Sequence, residues 1–214
     1  MSVFYIFLLI GALFMFLCMW FASRFYEKIP VWKLLISAAL LTAIGLLGAH
    51  IMALIESGNW NGRSFFGAVF LAPMLMFPVA MILRIPYTIM MDLCAPAECI
   101  MLALLKVKCN IDGCCAGKLF LTNGELHRFP SQKVECAMAI ILMVVLLLLI
   151  RSKKQTGKIY PWYLILYGVT RFILNLFRET TPWIGPLAAG NFWSIVAIII
   201  GSVAMGMMYK RKIT

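Results

Sequence analysis

Acidic side chains are scarce in this chain: eight Asp and Glu stand against nineteen Lys and Arg, with two His, over 214 residues. Charged residues of every kind make up 13% of it and hydrophobic residues 64%, and the mean hydropathy is +0.97. That balance excludes a soluble domain with one core and predicts an all-α, polytopic membrane protein. No G-x-G-x-x-G, Walker loop, H-E-x-x-H or G-x-S-x-G elbow occurs, so nucleotide, zinc-protease and serine-hydrolase chemistry have no carrier. Paired Cys-x2-Cys knuckles are missing as well. The first twenty residues lack a basic n-region and an A-x-A-like cleavage site, which predicts a retained helix rather than a removed signal peptide.

What is present is a series of apolar runs, each long enough for a span of roughly 20 residues. Val3 to Ala22, Leu34 to Ile55, Phe65 to Leu83, Val134 to Ile150, Ile159 to Phe177 and Phe192 to Tyr209 are the clear ones. A seventh, Tyr87 to Leu105, carries Asp92, Pro96 and Glu98 but must turn the chain around. The expectation is one transmembrane domain over residues 1–214, with seven helices and a polar outer loop at about 106–133.

Alternating loops place Arg24, Lys28, Lys33, Arg84, Arg151, Lys153, Lys154, Lys158, Lys210, Arg211 and Lys212 on one side. Arg63, Lys106, Lys108, Lys118, Arg128 and Lys133 fall on the other, offset by Glu56, Asp112 and Glu125. The denser set belongs in the cytoplasm, which puts the N-terminus outside and the C-terminus inside. Much of the +11 net charge is therefore topology and attraction to anionic lipid. Cations spread over loops do not form a nucleic-acid surface.

Arg171 lies inside an otherwise apolar helix, where a guanidinium marks a candidate functional site. Tyr167, Arg171, Asn175 and Arg178 recur at helical spacing and share one stripe, which suits an anionic headgroup. The bland alternative is an ion pair between Arg171 and Asp92 or Glu98. In the outer segment Cys109, Cys114 and Cys115 form a Cys-x4-Cys-Cys cluster near His127. A disulfide from Cys109 to Cys114 or Cys115 is the leading expectation on an oxidising face. A thiol activated by Lys106, Lys108 and Lys118 is a second reading. No metal is assigned, because the usual ligand spacing is absent, and no cofactor is implied.

Several stretches, ordered along the chain, resemble the prolipoprotein diacylglyceryl transferase family. Gly62-Arg63-Ser64-Phe65-Phe66-Gly67 resembles G-x-S-F-H-G, and Met91-Asp92-Leu93-Cys94-Ala95-Pro96-Ala97 resembles A-D-L-L-A-P-A. The cysteine segment looks like a G-R-x-G-C-F-x-x-G-C-C-x-G-K variant of G-R-I-G-N-F-x-N-G-E. Phe129-Pro130-Ser131-Gln132-Lys133-Val134-Glu135 resembles Y-P-T-Q-L-Y-E, and Tyr163 to Phe172 resembles Y-L-I-L-Y-G-x-x-R-F.

The resemblance implies a multi-pass protein of a bacterial inner or plasma membrane. It implies transfer of a diacylglyceryl group from phosphatidylglycerol to the cysteine thiol of a lipobox-bearing preprotein. Arg171, Glu135 and His50 are its candidate catalytic residues; Lys106, Arg171, Asn175, Arg178 and Tyr167 are its candidate headgroup contacts. His50 stands where arginine is usual in the family. Five positions depart from the pattern: Phe66 replaces histidine, Lys106 replaces arginine, Cys109 and Cys114 replace asparagine and glutamate, and Asn175 replaces glutamate. These departures sustain two alternatives: a non-catalytic lipid-binding or partner-assembly protein, and thiol-disulfide exchange through the cysteine cluster.

Overall fold

The computed structural model describes residues 3–26, 29–122, 125–179 and 183–210. Lys28, Asn123, Gly124, Arg211 and Lys212 lie outside the described residues. Seven helices follow in order: α1 Val3–Ser23, α2 Val31–Ser57, α3 Phe65–Leu83, α4 Tyr87–Asp112, α5 Ser131–Ser152, α6 Ile159–Leu176 and α7 Ala189–Lys210. Two short antiparallel hairpins interrupt them, β1 Leu119–Thr122 with β2 Glu125–Arg128, and β3 Trp183–Ile184 with β4 Leu187–Ala188.

Among the described residues, six helices are long and apolar enough to cross a membrane, and α6 is the one left out. The expectation had placed its least secure span at α4, which instead qualifies. α4 is the most buried helix of the bundle, and its Asp92, Pro96 and Glu98 are all enclosed. The polar loop is shorter than expected, because α4 continues past its apolar stretch through Lys106 and Cys109 to Asp112.

The two ends of the bundle can be told apart by their polar contacts. At one end Asp92 accepts hydrogen bonds from the Tyr26 hydroxyl at 2.8 Å, the Gly157 amide at 2.6 Å and the Ile159 amide at 2.9 Å. Its carboxylate thereby satisfies orphan donors at the start of α6, where an anion also complements the helix dipole. Lys158 covers the Tyr209 ring at the same end. At the other end Lys118 donates its amide to Phe177 O just past α6. α6 therefore runs between the same two ends as its neighbours although its composition is less apolar.

Close helix approach rests on glycine. A Cβ on Gly67 would collide with the Gly48 backbone, so α3 and α2 touch backbone to backbone. Pro73 inside α3 has no N–H to offer its i−4 partner, and the Tyr160 hydroxyl donates to that freed Val69 carbonyl at 2.7 Å. The sequence gives α3 a proline, and α6 supplies the missing hydrogen bond.

Asp92→Ala removes a charged acceptor from three donors and should cost at least about 3 kcal/mol. A lowered Tm in detergent, followed by intrinsic tryptophan fluorescence, is the check; an unchanged Tm would contradict the latch.

Candidate functional site

Lys106 is on α4 because the helix does not stop where hydrophobicity does. Lys108 pairs with Asp112 one turn on, a spacing that supports the helix surface. The helix ends at Gly113, whose φ of 70° gives the left-handed cap that glycine adopts without strain. The Cys114 amide returns to Cys109 O at 3.1 Å, and Cys115 also takes a positive φ, 61°. This reversal brings Cys114 and Cys115 back over Cys109.

The turn is then clamped by its neighbours. Ser131 Oγ donates to Cys115 O and Gln132 Nε2 donates to Cys114 O, both at 2.6 Å. Gly117 bridges Arg178 across the α6 end, and an added Cβ there would strike the Phe129 backbone. The start of α5, the end of α4 and the end of α6 are thus tied together, by the Ser131 and Gln132 side chains on one side and by backbone contacts on the other.

Within this frame one carboxylate meets three cations. Glu135, 5% exposed, places Oε2 2.5 Å from Lys106 Nζ and 2.6 Å from Arg171 Nη1, while Oε1 is 3.8 Å from Arg178 Nη1. Three positive charges against one leave the group at +2. Arg178 Nε is buried without a hydrogen-bond partner and remains a free donor. The Arg171 partner is therefore Glu135; the alternative pairing with Asp92 or Glu98 is not formed, since Asp92 caps α6 and Glu98 is met by the Tyr160 hydroxyl at 3.3 Å.

These cations border a cavity of about 460 Å³. Tyr167, Asn175, Cys109, Cys114 and Cys115 line it alongside Glu135, Lys106, Arg171 and Arg178. Its apolar side is made by Phe4, Leu8, Met15, Leu41, Leu102 and Leu105. A single space with a cationic end and a greasy side suits an anionic amphiphile.

His50 does not reach this space. Its Nδ1 is 2.8 Å from Trp60 O and its ring stacks on Trp60, so the residue fastens the turn between α2 and α3. Sequence reasoning missed Glu56, Ser64 and Glu98, which do line the cavity. Glu56 Oε1 accepts from Ser64 Oγ at 2.8 Å. The only sequence signal was an acid at the end of an apolar run two turns before the Gly62-Arg63-Ser64 stretch. Phe66, at the family's histidine position, stacks on Phe70 and packs against Tyr167, making that wall apolar. Asn175 Nδ2 donates to Asn191 Oδ1 at 2.8 Å.

A family model, prolipoprotein diacylglyceryl transferase, matches residues 5–207. The chain belongs to that family. Among curated relatives, phosphatidylglycerol--prolipoprotein diacylglyceryl transferases of Salmonella choleraesuis, Salmonella paratyphi B and Salmonella newport are each 35% identical to it over 100 residues. Each match covers 44% of this chain and 34% of the relative, so the aligned part is about a third of those proteins. Four of the five motifs quoted from the sequence converge on one place: the Gly62 to Gly67 stretch, the cysteine turn, the start of α5 and the Arg171 stripe all reach the cavity, while the Met91 to Ala97 stretch carries Asp92 at the opposite end.

The three cysteines are free thiols in this structure, not the disulfide pair expected for an outer face, and His127 stands apart on exposed β2. The Cys115 thiol is brought down to about 5 by the hydrogen bond from Cys109 and by the charges of Lys106 and Arg178. Burial pushes Cys114 up. An ordinary thiol ionises near about 8.5, so Cys115 should already be thiolate at pH 6 and Cys114 should not. Mass-spectrometric mapping of iodoacetamide labelling at pH 6 should find Cys115 modified ahead of Cys114. A Cys115 rate that still climbs through pH 8 would contradict this.

Proposed function

We propose that this chain transfers the diacylglyceryl group of phosphatidylglycerol to a protein cysteine thiol. The observation that carries it is the +2 cluster of Lys106, Arg171 and Arg178 around Glu135, set at the polar end of an amphipathic cavity. The name borne by the Salmonella relatives supports the same donor and acceptor. In the reaction a C–S bond forms at the glycerol carbon, the C–O bond to phosphate breaks, and glycerol phosphate leaves. The developing negative charge lies on phosphate oxygen, where fixed cations stabilise it more than they stabilise the intact diester.

Arg171 and Lys106 hold the phosphate, Arg178 offers its free Nε, and Asn175 and Tyr167 shape the space beside it. Glu135 has its charge committed to three cations and acts by holding them in position. The thiol proton needs an acceptor; Glu56 and Glu98 both line the cavity without an ion pair among the described residues, and Glu56 is the less buried of the two, since Glu98 is enclosed and met by the Tyr160 hydroxyl. His50 is too engaged with Trp60 for that part.

The membrane setting belongs to the same proposal. All seven helices cross as one domain, α6 included, with the cysteine turn on the outer side and the lysine-rich ends in the cytoplasm. The positive-inside distribution supports that orientation, and burial of Arg171 against Glu135 explains how α6 tolerates its charge. The protein then works in a bacterial cell membrane on lipid of the outer leaflet.

A second reading, lipid binding without turnover, is favoured by Phe66, Cys109, Cys114 and Asn175 at the family's polar positions. Purified protein in phosphatidylglycerol vesicles, given a lipobox peptide, should produce a peptide with a thioether-linked diacylglyceryl group detectable by mass spectrometry. Arg171→Ala should lower that rate by roughly 10²–10³-fold. Lipid retention by the wild-type chain with no peptide product would select the second reading.

A further inference from the structure

The cysteine turn holds more chemistry than an anion site needs. Cys109, Cys114 and Cys115 present three Sγ atoms within 4.8 Å of one another, and no His, Asp or Glu joins the group among the described residues. With metal–sulfur bonds of about 2.3 Å, a trigonal site requires sulfurs about 4.0 Å apart, so closure takes small side-chain rotations. The backbone beneath is already fixed by the Cys114 amide on Cys109 O and by Ser131 and Gln132 on the next two carbonyls. The helix cap thus performs the gathering that a Cys-x2-Cys knuckle performs elsewhere.

The donor set selects the ion. Three thiolates without a fourth side-chain donor match a soft monovalent ion in trigonal geometry, whereas zinc would have to complete its four ligands with water. Charge points the same way. A trithiolate complex of a monovalent cation carries −2, and Lys106, Arg171 and Arg178 less Glu135 supply +2 beside it; Arg63, Glu56 and Glu98 also line the cavity and leave its wall with a positive surplus of one. The nearby Lys108–Asp112 and Arg128–Glu179 pairs each cancel internally.

We propose that Cys109, Cys114 and Cys115 form a trigonal thiolate site for cuprous ion. The ion enters and stays as Cu(I), and the thiols release their protons to solvent, so no oxidant or reductant is consumed. Metal retention draws on the same cations that the proposed phosphate site uses, but it is read by a separate measurement, so either can fail without the other.

The test uses the full chain in detergent, reduced and anaerobic, competing for Cu(I) with a chromophoric cuprous chelator. One ion per chain should be withdrawn from the chelator, and X-ray absorption should find three sulfur neighbours. Cys114→Ser is the informative variant because Cys114 is exposed and its loss spares the packing. It should weaken binding by more than the roughly 100-fold that loss of a supporting partner costs. A chain lacking Cys18, Cys94, Cys99 and Cys136 should bind as the wild type does. Unchanged affinity in Cys114→Ser, a site with two sulfurs, or retention of Zn(II) in place of Cu(I) would overturn the proposal.

Discussion

The organisation of this protein's polar end turns on Glu135, a single carboxylate shared by cations from two other helices. An isolated buried guanidinium would be expelled from an apolar bundle; beside Glu135, Arg171 can stay, and Lys106 and Arg178 can gather with it. The pairing is deliberately incomplete in charge. Full neutralisation would make a structural ion network with nothing left for a ligand, whereas the surplus gives the adjoining cavity an electrostatic preference for anions. Packing and binding are thus set by the same group of atoms.

Position follows from how three helix ends meet. α4 overshoots its apolar stretch, reverses at Gly113 and hands its loop to the first residues of α5, while the end of α6 closes from the other side. At the opposite end Asp92 fixes where α6 begins. Arg171 is therefore placed by a latch about three turns away as well as by its own neighbours.

Much of this was legible in the sequence. Hydropathy marks the helices, and the 3.6-residue spacing puts Tyr167, Arg171 and Asn175 on one stripe of α6; Arg178, expected on the same stripe, lies past the helix end and still lines the cavity. What spacing could not give is partnership across helices. The resemblance singled out Glu135 as a candidate catalytic residue, but only the fold brings α5 against α4 and α6 and gives it its three cations. His50 was misleading because a histidine near a helix end has the same local pattern whether it faces a cavity or, as here, the Trp60 carbonyl. The polar segment expected as a loop from about 106 begins in helix, because the Lys108–Asp112 pair lets α4 carry polar residues onward to Asp112. Glu56 stayed hidden since its role depends on the turn that delivers Ser64 to it.

The ties around Gly117 run through amides and carbonyls: Lys118 to Phe177, Glu179 to Ala116, Phe129 to Lys118. Such bonds are indifferent to side-chain identity. The turn can consequently exchange an amide and a carboxylate for sulfur while the scaffold under them stays put, which makes this corner a place where one membrane architecture can acquire new reactivity by point substitution alone.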